Sequence, residues 1–282
     1  MKKSYIILII LILYLCYLVS NPWTLNMNKY NVYKYIDSKY SLKTKLFKYN
    51  ELKNINEFPI IIKPAMYSGH STNVYKISNS KELNDVIKKL TNNQKYIVQE
   101  FYNSKYEVGL LYEKNPLIKN GKIISIVLKK KYNSEWKPLN CDNILYKKNV
   151  CYNFNREDLI TKELSDVIIH ISNNIPNFNV GRYDIGFDNI EDFKNGKNFK
   201  IFELNGNSGS DIRCNFTNYN IDKNNFNNIL YLIRFIIVRI LYGFINLIIN
   251  KHNCIIILFE TFERLKLLCN SNEISHILSP SF

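Results

Sequence analysis

The residues best suited to chemistry lie between Asn179 and Cys214, in NVGRYDIGFDNIEDFKNGKNFKIFELNGNSGSDIRC. Two runs alternate polar and apolar residues, the period-two signature of half-buried strands. Arg182, Asp184 and Gly186 share one face of the first, with Tyr183, Ile185 and Phe187 on the other. In the second, Glu203 and Asn205 share one face and Phe202 and Leu204 the other. Asn195-Gly196 between them suits a tight turn, so the stretch reads as an antiparallel hairpin with an elaborated connection. Its polar face presents an arginine, two carboxylates and a carboxamide. Mg²⁺ takes one or two carboxylates plus phosphate oxygens and water in octahedral geometry, so Asp184, Glu203 and Asn205 are candidate metal ligands. Arg182 beside them could stabilise charge on a transferred phosphoryl group. Taken alone, a D…E-x-N pattern is more often an ordinary hairpin with a solvated charged face.

Other elements must bring phosphate to that face. Phe58-Pro-Ile-Ile-Ile-Lys63-Pro64 reads as a buried strand whose terminal lysine either snorkels to water or points at an anion. The loop from Ala65 to Asn73, with Ser68, Gly69 and Ser71, could wrap phosphates with backbone N–H groups. Val74 to Ile77 is its return strand. Ser80 to Leu90 has helical spacing, with Ser80 as N-cap. The strand ending in Gln-Glu100-Phe-Tyr-Asn103 leads into a linker, and Glu107 opens the next strand; this carboxylate pair suits a ribose diol or, equally, two edge-strand positions. Gly121 to Leu128 is a further strand, ending in a lysine triplet, Lys129 to Lys131, of which one could face phosphates. The spacing predicts helices around Ser38–Tyr49 and over Asp158–Ile171, with His170 a packed or surface residue, and irregular chain from Cys141 to Asn155.

At 282 residues, 46% of them hydrophobic, the chain can bury a substantial core and is not wholly disordered. A formal charge of +14 favours anionic partners, although dispersed lysines make a nucleic-acid groove a weak reading. The six cysteines form no C-x-x-C pair and no zinc spacing with the four histidines, so they read as reduced thiols.

The apolar run Tyr5–Val19, bounded by Lys2-Lys3 and Trp23, reads as an uncleaved N-terminal membrane anchor in preference to a signal peptide. The lysines downstream of it would keep the following domain cytoplasmic. Phe226 to Ile249 is strongly apolar but carries Arg234 and Arg239, each costing about 2.5–3.5 kcal/mol at a bilayer centre. A domain-packing or membrane-surface helix is therefore favoured there over a span. Ile255 to Leu268 is similarly amphipathic.

In order, Ile-Ile-Ile-Lys63-Pro64 with its loop, Val-Gln-Glu100-Phe…Glu107, Gly-Arg182-Tyr-Asp184 and Phe-Glu203-Leu-Asn205-Gly206 resemble the ATP-grasp superfamily, and within it the D-alanine–D-alanine ligase-like branch. The resemblance covers about residues 40–214. It implies an α+β fold in which two lobes clasp ATP: residues 28–220, split into 28–100 and 101–220, between an anchor at 1–27 and a helical region at 221–282. It further implies Lys63 on the α- and β-phosphates, Ser68, Gly69 and Ser71 in a phosphate lid, and Glu100, Phe101 and Tyr102 at adenine. Glu107 would hold the ribose and Lys129 face the phosphates. Asp184, Glu203 and Asn205 would hold Mg²⁺ (or Mn²⁺), and Arg182 and Lys63 would be the catalytic pair. Lys39 and Lys45 are candidates for an earlier lysine of the pattern. The lid carries His70 and Asn73 where the ligases are richer in glycine and serine.

The implied activity is ATP-dependent ligation of a carboxylate to an amine or thiol through an acyl phosphate. Its competitors are a non-catalytic ATP-binding module at a membrane and a basic protein binding membrane surfaces or nucleic acid; nucleic acid is the least favoured partner.

Overall fold

The computed structural model describes residues 3–18, 29–65, 73–131, 151–206 and 225–249. Two antiparallel sheets dominate them. The first has the order β1-β4-β2-β3, from β1 (Thr44–Lys48), β2 (Ile60–Pro64), β3 (Tyr75–Ile77) and β4 (Lys95–Glu100). The second has the order β7-β6-β5-β8-β9, from β5 (Tyr106–Glu113), β6 (Lys122–Lys131), β7 (Cys151–Asn155), β8 (Val180–Phe187) and β9 (Phe199–Asn205). Helices α1 (Lys3–Leu18), α2 (Ser80–Ile87), α3 (Lys162–Asn173), α4 (Ile190–Lys194) and α5 (Asn225–Ile249) complete the α+β fold.

Each sheet buries one face in a main core, and the second also covers part of its other face with α5. Helix α2 sets Leu83 and Val86 against Ile60, Ile62, Tyr96 and Val98. Its N-cap is Asn79 rather than Ser80: the Asn79 side chain accepts from Glu82 N at 3.0 Å, and the Glu82 carboxylate returns to Ser78 N at 2.7 Å, satisfying two otherwise orphaned amides. Under the second sheet, α3 buries Leu164, Ile168 and Ile171 at i, i+4 and i+7 against Val108, Leu110, Ile126, Tyr183 and Ile185. Phe187 stacks on Phe193 of α4 with ring centroids 4.1 Å apart. Each such side chain contributes roughly 1.5–3 kcal/mol on burial. Val32, Ile36 and Tyr40, from the 3₁₀ segment Lys29–Tyr35 and the chain after it, join this second core.

Several expected elements differ. Residues Thr44–Lys48 form an edge strand on β4, not a helix; their alternation is too short to show against the surrounding lysines. Cys151–Asn155 pairs with β6 as a strand instead of running irregularly. The helix expected from Asp158 splits into a 3₁₀ turn, Glu157–Leu159, and α3, which Thr161 caps by accepting from Leu164 N at 3.2 Å. The connection between β8 and β9 is α4, closed by Gly196 at φ +67°. His170 is exposed.

The expected N-terminal single-pass anchor is not supported. Over its described residues helix α1 spans Lys3–Leu18, 16 residues, and it packs along α5. The contact is close enough that a Cβ on Gly243 of α5 would overlap the Cys16 carbonyl of α1, and Arg239 lies 4.5 Å from the Tyr17 ring centroid. Among the described residues the one helix long and apolar enough to span is in α5, Leu230–Ile249, with mean hydropathy 2.1. That helix packs on the second sheet, as the arginines suggested: Phe235 and Tyr242 meet Leu111 and Val180. Residues 255–268 lie outside those described.

Candidate active site

The face of the second sheet opposite its core collects the charged residues. Asp184 and Glu203 are cross-strand partners on β8 and β9, and Arg182 faces Asn205 one step along. Between Asp184 and Ile185 the register shifts by one residue, so Phe202 is extra on β9. This bulge lets Ile201 and Leu204 both enter the core while Glu203 and Asn205 keep the polar face. Phe202 therefore does not share the inner face with Leu204, as simple alternation predicted; its ring sits edge-on to Tyr102 at 6.2 Å.

Asp184 is the hub. Its carboxylate meets Lys129 Nζ at 2.8 Å and Arg182 Nε at 3.3 Å, and accepts from Asn205 Nδ2 at 2.9 Å. Burial alone would raise the Asp184 pKa, but the Arg182 and Lys129 charges outweigh it and hold the carboxyl at about 2. Lys129, itself buried, also meets Glu107 at 3.0 Å, its cross-strand partner on β5. Burial works against its charge, yet Asp184 and Glu107 leave its pKa above the usual lysine value. On Glu203, Oε1 is 2.5 Å from Lys29 Nζ.

The other sheet delivers Lys63. From β2 it donates to the Phe202 carbonyl at 3.0 Å, to Gln99 Oε1 at 3.2 Å and to Tyr33 Oη at 3.3 Å. Tyr33 Oη also donates to the Phe202 carbonyl, at 2.5 Å. Lys63 is buried, which disfavours its charge, but Tyr33, Glu203 and Asp184 more than compensate and its pKa is raised. Lys63, Lys129, Arg182 and the two carboxylates thus converge between the sheets.

Sequence reasoning missed Lys29, Tyr33 and Gln99. Lys39 and Lys45, the candidates for an earlier cation, are both exposed, and Lys39 lies over the Tyr40 ring at 4.7 Å. Lys29, whose backbone N donates to Ala65 O at 3.2 Å just after β2, is the cation that meets Glu203. Its signal was the apolar spacing of Val32, Ile36 and Tyr40, which ties the segment to the second core.

Of the expected adenine contacts, Glu100 accepts from Lys43 N at 3.0 Å at the exposed end of β4, and Phe101 lies under Lys76 Nζ at 4.2 Å. Tyr102 Oη donates to Asp188 Oδ2 at 2.5 Å, and Lys105 N donates to Asp188 Oδ1 at 2.7 Å. These bonds fasten the linker between the sheets to the end of β8. Glu107 is already shared with Lys129. Ser68, Gly69 and Ser71 lie outside the described residues.

Among the described residues no three His, Cys, Asp or Glu side chains gather as a metal-holding group. A divalent cation would need Asp184, Glu203, an Asn205 amide turned to present oxygen, and phosphate oxygens from a ligand. The donor set fits Mg²⁺ in type, because such a cation usually keeps several non-protein ligands. Lys129 and Lys29 pair with these two carboxylates, so a bound cation would share them with the lysines.

Residues 23–210 match the family model described as D-ala D-ala ligase C-terminus. The chain belongs to that family. This D-ala D-ala ligase C-terminus chain is structurally similar to the VanG D-Ala:D-Ser ligase from Enterococcus faecalis, at TM-score 0.51 and 16% identity, over 78% of this chain and 63% of that one. The likeness shows a shared ATP-grasp fold, with this chain spanning less than two thirds of the ligase. An N5-carboxyaminoimidazole synthase from Aspergillus clavatus overlaps at TM-score 0.43 and 9% identity, over 64% of this chain and 44% of its own. An L-amino acid ligase from Bacillus licheniformis overlaps at TM-score 0.41 and 14% identity, over 66% and 41%. A search of curated protein sequences finds no match.

Proposed function

We propose that the protein is an ATP- and Mg²⁺-dependent ligase that activates a carboxylate as an acyl phosphate for attack by an amine or thiol. The observation that carries this reading is the convergence of Lys63, from one sheet, with Asp184, Glu203 and Arg182, from the other. Family membership supports it.

In this reading ATP lies between the sheets, with adenine against the linker at Phe101 and Tyr102. Lys63, joined by Lys29, holds the α- and β-phosphates. Glu107 takes the ribose hydroxyls and shares its charge with Lys129, which faces the γ-phosphate. Asp184, Glu203 and Asn205 would hold Mg²⁺, which neutralises phosphate charge when bound. A substrate carboxylate oxygen attacks the γ-phosphorus and ADP leaves. The amine nitrogen then attacks the acyl carbon, phosphate departs, and the amine loses a proton. Arg182, beside Asp184, stabilises the charge on the transferred group, while positioning supplies much of the rate. No side-chain nucleophile is needed.

ADP and phosphate release, assayed with panels of amino acids and dipeptides, tests the proposal. Release that requires both a carboxylate and an amine supports it, and ATP binding without turnover across the panel speaks against it. One observation favours a second reading, nucleotide binding without ligation: Lys129 and Lys29 already neutralise both carboxylates that a metal would use.

A further inference from the structure

Helix α5 is polar on the inside and apolar on the outside. Its buried stripe is Phe235, Arg239, Tyr242, Gly243 and Asn246, so among the described side chains Arg239, Tyr242 and Asn246 face protein. Arg239 is fully buried between the rings of Tyr17 and Phe235. Arg234, on the flank, turns to Glu113 Oε2 at 2.7 Å, and Tyr242 Oη donates to Glu113 Oε1 at 3.1 Å. The exposed arc holds Leu230, Ile233, Ile237, Leu241, Phe244 and Ile248, with no charged residue among them. A helix on the surface of a water-soluble domain has the opposite pattern. Of the two arginines that argued against bilayer contact in the sequence, Arg239 is buried on the inner side and Arg234, its side chain 41% exposed at the edge of the arc, is paired with Glu113.

We infer that the paired helices α1 and α5 seat the protein on the surface of a lipid leaflet. The apolar arc runs from Leu230 to Ile249, a length of about 30 Å at the helical rise. On α1, packed along α5, Ile9, Ile12 and Leu13 are exposed as well. Two helices that both expose apolar side chains offer more than the narrow seam by which one helix pairs with another copy, and the charge described on the flank of α5, Arg234, is already paired with Glu113. The opposite side of α5 packs on Leu111 and Val180 of the second sheet, so the helices can enter lipid only from the outer arc. They lie in the plane of the interface, with apolar side chains reaching about 5–10 Å inward. The net charge of +14 adds attraction to anionic headgroups. Val180 and Leu111 adjoin Arg182 on the same sheet, in adjacent register, so the candidate site is held close to the leaflet.

Flotation of the full chain with vesicles of equal parts phosphatidylcholine and phosphatidylglycerol tests this. The protein should float with the vesicles. The double variant Ile237→Glu, Phe244→Glu should lose about tenfold or more of that partitioning for each side chain removed from lipid. Asn92→Glu, which adds a carboxylate at an exposed residue in the turn between α2 and β4 of the first sheet, should float like wild type. Phe244→Trp, which keeps the arc apolar, should add indole fluorescence that bromine-labelled acyl chains quench. Added fluorescence that the bromines left unquenched, or wild-type protein left at the bottom of the gradient, would overturn the inference. So would a concentration-dependent dimer that the double variant abolishes without any vesicle capture, because a second copy would then cover the face. The thermal shift with ATP and Mg²⁺, measured on the same double variant, reports on the nucleotide site separately.

Discussion

Lys63 Nζ donates to the Phe202 carbonyl at 3.0 Å, joining β2 of one sheet to the bulge of β9 in the other. The bulge makes this possible. An unbulged β9 would spend the Phe202 carbonyl on the ladder or turn Glu203 into the core.

Replacing Lys63 should separate binding from stability. A charge-assisted contact to phosphate is worth about 1.5–3 kcal/mol, so Lys63→Met should weaken ATP binding roughly 10–100-fold. Within the protein its ammonium donates to neutral acceptors, the Phe202 carbonyl, Gln99 and Tyr33, and leaving such buried groups unsatisfied costs about 1–3 kcal/mol. The unliganded melting temperature should fall modestly while the ATP-induced shift is largely lost. Calorimetric titration of the variant that returned wild-type ATP affinity would remove Lys63 from the phosphate site.

The two candidate metal carboxylates should behave differently without ligand. Asp184 is buried among Lys129, Arg182 and Asn205, and breaking such a cluster costs about 3–5 kcal/mol. The Glu203–Lys29 pair is partly exposed, and pairs of that kind contribute about 0–1 kcal/mol. Asp184→Asn should therefore lower the melting temperature clearly and Glu203→Gln barely, while both abolish the Mg²⁺-dependent part of ATP binding. Retention of that part in both variants would show that the metal, if any, binds elsewhere.

Much of this site was legible because strand alternation is local. Arg182-Tyr-Asp184 and Glu203-Leu-Asn205 each declare a face within three residues. The bulge at Phe202 was not legible, since one inserted residue leaves no mark on a seven-residue strand. Lys29 was hidden among many lysines, its role fixed only when Val32, Ile36 and Tyr40 pack beneath the second sheet. Residues Thr44–Lys48 were misread as helix because a strand at a sheet edge is defined by its neighbour more than by its own pattern. The N-terminal apolar run was read as a span because hydropathy reports only that a helix avoids water; α5 meets Cys16 and Tyr17 while Ile9, Ile12 and Leu13 stay exposed.

Gly243 should be needed for the α1–α5 contact. Any side chain there starts with a Cβ that collides with the Cys16 carbonyl group, and backbone cannot swing aside as a flexible side chain does. Gly243→Ala should push α1 away at a cost of about 1–3 kcal/mol. Cys16, now 2% exposed, should become reactive to a maleimide, as mass spectrometry of the labelled peptide would show. Protection equal to wild type would mean that the helices pass at a greater distance.

Acid should erase the difference between wild type and Asp184→Asn. The charges of Arg182 and Lys129, with Asn205 donating and Lys63 nearby, lower the Asp184 pKa from the ordinary 3.8 to about 2 against the opposing effect of burial. A depressed carboxylate contributes stability that is complete above its unfolded pKa and lost as pH falls through its folded one. Above pH 3.8 the contribution from this shift is about 2 kcal/mol. Urea midpoints of the two proteins should thus differ most at about pH 5 and approach one another near pH 2. The basic partners do not lose their protons anywhere in that window, because the Lys129 pKa is raised. A gap between the midpoints that stayed constant from about pH 5 to about pH 2 would mean that Asp184 carries no linked proton, and its cluster with Lys129 and Arg182 would then not form in solution.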